Sequence, residues 1–457
     1  MKNKFLTYAL GSALLFTGVG CQRIIETQEP QQSIAASTAI NSRSSATAAM
    51  LGAYSSLQSA NYYGTRYLLL PEMHGQGNAN HSGTFPSFGQ FARRAILDDN
   101  VEVANMWAAI YSGINRVNQI IDRVPRIDEA AFTAEQRQAL LAEAHFLRAF
   151  HYFNLVRYWG GVPLITRPTN AVEGTTLQVP RSTVNEVYTQ ILADLDVALA
   201  SAPTTYGATA ATKGRATLRA VQALKARVHL YRSSLGIATE WDQAIQFATL
   251  AGTGASLTTN FVSLFEDKNT VEAIWELQFD PTNSNSIAFF LLPTALGGRN
   301  EIQPNANLAG AFPAGDARRI TAGAATNVRS RVKYFRPGTG DDHVIIFRLA
   351  EMLLTRAEAL VERNTGTDLA DAVTLINQIR TRAGIGNYAG AVDQVSLRNE
   401  VFLQRRLELA LEGHYFFDVV RTGRAATTFV DWNPNQALLP IPFRELNANP
   451  NLTPNPR

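Results

Sequence analysis

The chain has 457 residues, 46% of them hydrophobic and 17% charged, enough for one large domain or two to three ordinary ones around a buried core. A net charge of +3 with no long Lys/Arg run excludes the electrostatic footprint of a nucleic-acid or acidic-membrane binder. Cys21 is the single cysteine, so an internal disulfide and a cysteine-based metal centre are excluded as well.

Lys2 and Lys4 precede an apolar run from Phe5 to Phe16, and small residues around Val19 lead into Cys21. That order predicts a signal peptide over residues 1–20, because the run is too short to span a bilayer as a helix. Cleavage before a cysteine means lipidation of its thiol, and the acyl chains on Cys21 would then anchor the mature protein. Residues 21–45 are polar, rich in Ser, Thr and Gln, and contain Pro30. They read as a flexible tether, with residues 46–457 as the folded domain.

Helical spacing starts at once, with Met50, Leu51, Tyr54 and Leu57. An insertion over residues 61–97 interrupts it, carrying Tyr62, Tyr63, Phe85, Phe88 and Phe91 among Gly, Asn and Ser. Asp99 with Glu102 predicts a capping box for a helix to about Arg123. Trp107, Ile110, Tyr111, Ile114, Val117, Ile120 and Ile121 form its apolar stripe. Thr133 with Gln136 caps a second long helix, to about Trp159, which Gly160, Gly161 and Pro163 end. Thr183 with Glu186 caps a third, through Ile191, Leu195 and Leu199. Two helix pairs follow, at about 215–235 with 241–250 and 344–362 with 369–383.

The segments LLAEAHFLRAFHYF, LKARVHLYRSSL and LLTRAEALVERN look alike and place Ala where two helices approach closely. The predicted fold class is mainly α, a tetratricopeptide-like helical solenoid with long loop insertions and minor β. Between the pairs, residues 253–342 form a second insertion in which Ala273–Phe279 alternates like a strand. Long irregular segments on a regular scaffold usually carry function.

Catalysis finds little support. None of the seven His residues has HExxH or comparable spacing, and GxSxG, P-loop and GxGxxG patterns are missing. His74 and His81, in a Gly/Asn-rich loop with Glu72, read as solvated side chains rather than metal ligands. No cofactor is expected. A carboxylate pair for glycoside hydrolysis stays open.

Three later segments are more specific as a set than singly. Glu143–Leu164 reads EAHFLRAFHYFNLVRYWGGVPL, Arg405–Arg424 reads RRLELALEGHYFFDVVRTGR, and residues 437–456 read ALLPIPFRELNANPNLTPNP. In the second, Arg405 can reach Glu408 and Asp418 can reach Arg421 within one helical turn, predicting a semi-buried ion network beside Phe416 and Phe417. In this order, behind a cysteine-tipped signal peptide, the set resembles the SusD/RagB family across essentially the whole chain. The resemblance implies a non-enzymatic lipoprotein of the outer membrane, facing the exterior. It would capture an oligosaccharide and deliver it to a SusC-like TonB-dependent transporter. The same architecture binding peptides is the alternative, and a surface-anchored hydrolase a third. The resemblance also implies a ligand face built by the loop after the first helix and the mid-chain insertion. Sugar faces stack on rings while hydroxyls need polar partners. All five tryptophans fall in scaffold segments or near the C-terminus, which leaves stacking to Tyr and Phe. The expected ligand residues are Tyr62, Tyr63, Phe85 and Phe88, approaching Phe289, Phe290 and Arg299 across a shallow site.

Overall fold

A computed structural model describes residues 39–169, 178–237, 239–322 and 333–457. The signal peptide, Cys21 and most of the tether lie outside the described residues. Helix α1 (Arg43–Leu57) starts within the last residues read as tether, where Ser42 and Ser45 form a capping box. It buries Met50, Tyr54 and Leu57. Leu51, expected on that stripe, is 53% exposed. The first insertion contributes α2 (Arg66–Met73), β1 (Ala79–His81) and α3 (Pro86–Ala92).

Helix α4 (Val101–Arg123) is capped one residue later than expected. The Asn100 side chain, not that of Asp99, accepts from the N–H groups of Glu102 and Val103. Glu102 turns inward instead, to Arg66 (3.0 Å) and the Ser87 hydroxyl (3.0 Å). Helices α5 (Ala134–Trp159) and α6 (Val184–Ser201) carry the expected capping boxes, Thr133 with Gln136 and Thr183 with Glu186. Every residue of α5 from Phe146 to Trp159 is buried. It is the central helix, packed between α4 and α6 with α1 alongside, and its buried Arg148, Asn154 and Arg157 are hydrogen-bonded to other side chains.

The first helix pair is α7 (Leu218–Ser233) with α8 (Glu240–Gly252), and the second is α9 (Leu349–Arg363) with α10 (Asp368–Arg382). Helix α8 packs on α9, stacking one pair on the next. Strand β2 (Ala273–Leu277) falls where alternation placed it, and β3 (Ile302–Pro304) follows in the same insertion. Strand β4 (Val344–Arg348) is a correction, since those residues read as the start of α9. Val344, Ile345, Ile346 and Phe347 are all buried, and they pair antiparallel with β2. β-branched residues favour that setting. Helices α11 (Gln394–Glu408) and α12 (Tyr415–Arg421) complete the scaffold. Among the described residues no helix is long and apolar enough to cross a membrane.

The three sequence segments meet in space. The Trp159 indole N–H donates to the Pro440 carbonyl (2.9 Å), Leu439 N–H donates to the Tyr158 carbonyl (2.7 Å), and the Asn455 amide donates to the carbonyls of Trp159 (3.1 Å) and Leu439 (2.7 Å). The C-terminal strap therefore caps the end of α5, satisfying carbonyls that the helix terminus leaves open. Asp418 pairs with Arg421 (2.7 Å) as expected, but Arg405 pairs with Asp418 (3.0 Å) rather than Glu408. Glu408 faces the other way, to Arg348 of β4 (2.6 Å), Arg382 of α10 and Arg318 of the mid-chain insertion (3.3 Å). Burial would raise its pKa, but those three cations outweigh burial and hold it well below the usual carboxylate range.

Candidate ligand-binding face

The first insertion must fold back tightly after α1. Gly64 makes that possible, because a Cβ there would sit 2.4 Å from the Gln58 carbonyl oxygen. The return carries Tyr62 and Tyr63 into the core, 0% and 3% exposed. The Tyr62 hydroxyl accepts from the Asn154 amide (2.6 Å) and lies 3.2 Å from His151 Nδ1. Tyr63 stacks on Phe150, with ring centres 5.4 Å apart. Neither ring has a face left for a ligand, which corrects their assignment to the binding surface. They fix the insertion to α5 instead.

Beyond α2 the two insertions become one unit. Strands β1 and β3 pair antiparallel, Ala79 opposite Pro304 and His81 opposite Ile302. Glu301 ties the joint. Its carboxylate accepts from the Phe85 backbone N–H (2.8 Å) and lies 3.0 Å from both His81 Nε2 and Arg299 Nε. Burial opposes the charge, but these bonds hold its pKa below the ordinary carboxylate value. The joint gathers the remaining expected residues. Phe85 lies 5.4 Å from Phe88 and 6.0 Å from Phe290, and Phe289 lies 5.8 Å from Phe290. The Arg299 guanidinium sits 4.4 Å from the Phe85 ring centre. Phe88 and Phe290 are buried and form the base. Phe289 and Arg299 are exposed, and Phe85 is half-buried, so these three side chains meet solvent.

On the other side of the β1–β3 ladder lies a cleft of about 710 Å³. The first insertion lines it with Gln76, Asn80, Arg93 and Arg94, the second with Asn305 and Asn307, and the C-terminal third with Arg406, Tyr415, Phe429 and Asp431. Arg406 donates to Asn78 Oδ1 (2.9 Å) and lies 4.6 Å above the Tyr415 ring centre. Gly77 lets the chain pass that ring, since a Cβ would sit 2.7 Å from it. Arg94 donates to the Val430 carbonyl and lies 5.4 Å from the Phe429 ring centre. These residues were not foreseen. Arg406 and Tyr415 belong to a segment read as scaffold. The visible signal was the Arg93–Arg94 pair in an insertion otherwise poor in charge.

The histidines of this region are not solvated, another correction. His74 is 1% exposed and stacks on Phe416 at 3.8 Å. Burial pushes its pKa down to about 3, with Arg94 adding to the effect. Glu72 is fully buried, accepting from the N–H groups of Gly413 (2.9 Å) and His414 (3.1 Å). Among the described residues no His/Cys/Asp/Glu group has the arrangement of a metal site. A further cleft of about 310 Å³ near Trp241 and Phe402 contains Arg398, Arg421, Glu358 and Glu362. Those charges are spent on each other, Arg398 on Glu362 and Arg421 on Glu358.

A stacked-helix scaffold with aromatic and polar side chains gathered on fused insertions defines a binding protein, with no assembled catalytic constellation among the described residues. The comparisons give the family. Residues 27–230 match the SusD-like model described as starch-binding, associating with outer membrane, and residues 330–437 match the SusD family model. The chain belongs to the SusD/RagB family of outer-membrane-associated glycan-binding proteins, a non-catalytic class. A SusD-like protein of Formosa agariphila is 27% identical, over 99% of both chains. A SusD superfamily structure from Parabacteroides distasonis superposes with a TM-score of 0.78 at 24% identity, covering 90% of this chain and 98% of that one. A laminarin-binding SusD-like protein gives 0.75 at 24% identity, covering 90% and 99%.

Proposed function

We propose that this chain captures an oligosaccharide on the face built by its two insertions and delivers it to a SusC-like TonB-dependent transporter. The observation that carries the reading is the β1–β3 pairing, which fuses two distant insertions into one surface. That surface presents the exposed ring of Phe289, a half-buried Phe85 with the Arg299 cation over it, and amides at Asn80 and Asn307. A relative that binds laminarin supports the ligand class.

The proposed anchor fits this geometry. Residues 1–20 are read as removed and Cys21 as lipidated, with the tether running to α1. The Arg43 backbone N–H donates to Glu129 (2.6 Å), just ahead of the N-terminal end of α5. The C-terminal strap, Phe417 and Tyr67 of the first insertion gather at the other end, around Tyr158 and Trp159. At about 1.5 Å per residue, the 26 residues of α5 separate those two ends by about 39 Å. A lipid-anchored protein at the cell exterior would thus present its binding face away from its membrane attachment.

The test is a glycan array probed with the soluble chain lacking residues 1–20 and carrying Cys21→Ser. Binding of a defined oligosaccharide is expected. Binding of peptides and of no glycan would overturn the reading.

A further inference from the structure

The cleft beside the β1–β3 ladder has a chemistry of its own. Three guanidiniums border it, from Arg93, Arg94 and Arg406, and Asp431 is the one carboxylate among its lining residues. Elsewhere on this face cations are neutralised, Arg66 by Glu102 and Arg299 by Glu301, each at 3.0 Å. None of the three cleft arginines makes an ion pair among the described residues. Arg406 spends its N–H groups on neutral acceptors, Asn78 Oδ1 (2.9 Å) and the Gly77 carbonyl (3.3 Å). Arg94 donates to the Val430 carbonyl, and its buried Nε has no acceptor. The Arg93 side chain is exposed and makes no hydrogen bond among the described residues.

The rings in the cleft are not free platforms. Tyr415 and Phe429 are 5% and 4% exposed, and each is overlaid by a guanidinium, Arg406 at 4.6 Å and Arg94 at 5.4 Å. A neutral sugar needs an open ring face to stack on. This cleft instead offers two guanidiniums over an aromatic floor, with Arg93, Asn80 and Asn307 around them. Such guanidiniums match carboxylate or sulfate oxygens in bidentate fashion, and their attraction is strongest where competing carboxylates are few.

We infer that the glycan taken by this cleft is anionic, bearing uronate carboxylates or sulfate esters that the three guanidiniums bind. The inference rests on the glycan-binding reading above and narrows its substrate class. The phenylalanine cluster on the far side of the ladder would hold uncharged sugar faces of the same chain.

The experiment is calorimetric titration of the soluble chain with four probes: polygalacturonate, its fully methyl-esterified form, chondroitin sulfate and laminarin. Binding of polygalacturonate or chondroitin sulfate is expected, and whichever binds identifies carboxylate or sulfate as the recognised group. Methyl esterification should abolish polygalacturonate binding, and added salt should weaken binding to either polyanion. Arg93→Gln should weaken it about threefold to tenfold, the scale of one solvent-exposed hydrogen bond. Because Arg93 has no protein partner, the fold should be untouched. Arg406→Gln, checked by its melting temperature, should add to the loss. Laminarin or the methyl ester bound as tightly as the polyanions, or polyanion binding unchanged in both variants, would overturn the inference and leave glycan binding standing. Binding of none of the four would count against the glycan reading itself, and the inference would fall with it.

Discussion

Trp159 joins the central helix to the C-terminal strap, so its replacement measures how far that strap holds the fold together. The side chain is completely buried, its ring stands edge-on to Trp107 at 5.3 Å, and its N–H donates to the Pro440 carbonyl. Truncation to Ala in a core that relaxes only partly costs about 3–5 kcal/mol. The Pro440 carbonyl, left without its donor, adds about 1 kcal/mol. Trp159→Ala should therefore lose about 4–6 kcal/mol. Trp159→Phe keeps most of the packing and loses the hydrogen bond, so it should lose about 1–2 kcal/mol. Urea unfolding followed by far-ultraviolet circular dichroism reads both values. A loss below about 1 kcal/mol for Trp159→Ala, or equal losses for the two variants, would refute the reasoning.

Three further outcomes are expected. His74 has a folded pKa near 3 against 6.5 unfolded, so below pH 6.5 the unfolded chain binds a proton that the folded chain does not. That stability is complete above pH 6.5 and falls by up to about 1.4 kcal/mol per pH unit as the medium is acidified. His74→Phe, which keeps the stack on Phe416, should flatten the fall of urea midpoints between pH 6 and 4, and an unchanged slope would contradict this. Tyr62→Ala should cost about 3–5 kcal/mol of stability as a core truncation, with thermal melting as the check. Cys21→Ala should release the protein from membranes or leave its signal uncleaved. Mass spectrometry finding an unmodified Cys21 in the mature wild-type protein would refute the anchoring.

The capping boxes at Thr133 and Thr183 were legible because a capping box is a local pattern, complete within four residues. The same locality misplaced the cap of α4 by one residue, since Asp99 and Asn100 carry equivalent signals. Strand β4 was missed because a short apolar run does not distinguish strand from helix. Its partner strand β2 lies far back in the chain, inside the mid-chain insertion. Arg405 was paired with its helical neighbour, whereas its partner Asp418 sits on the next helix, brought in by packing. The insertions stood out as aromatic and irregular, and Phe85, Phe88, Phe289, Phe290 and Arg299 do meet across the joint. Composition alone did not separate them from Tyr62 and Tyr63, because only the fold decides which rings turn inward. The arginine-lined cleft was illegible because three segments far apart in sequence contribute to it, one of them read as pure scaffold.

The most direct test of the central claim is calorimetric titration of an array-identified oligosaccharide into the wild-type chain and into Phe289→Ala and Arg299→Ala. Phe289 is exposed and carries little of the core, so Phe289→Ala should melt within a degree or two of the wild type, while Arg299→Ala takes one partner from the buried Glu301 and its melting temperature is read beside the titration. Loss of the Phe289 ring should cost about 2 kcal/mol of binding, a roughly thirtyfold weaker affinity, as central aromatic contacts do. Loss of Arg299 should be similar in kind and smaller. Undiminished affinity in both variants, with the fold intact, would contradict the placement of the ligand on the face built by the two insertions.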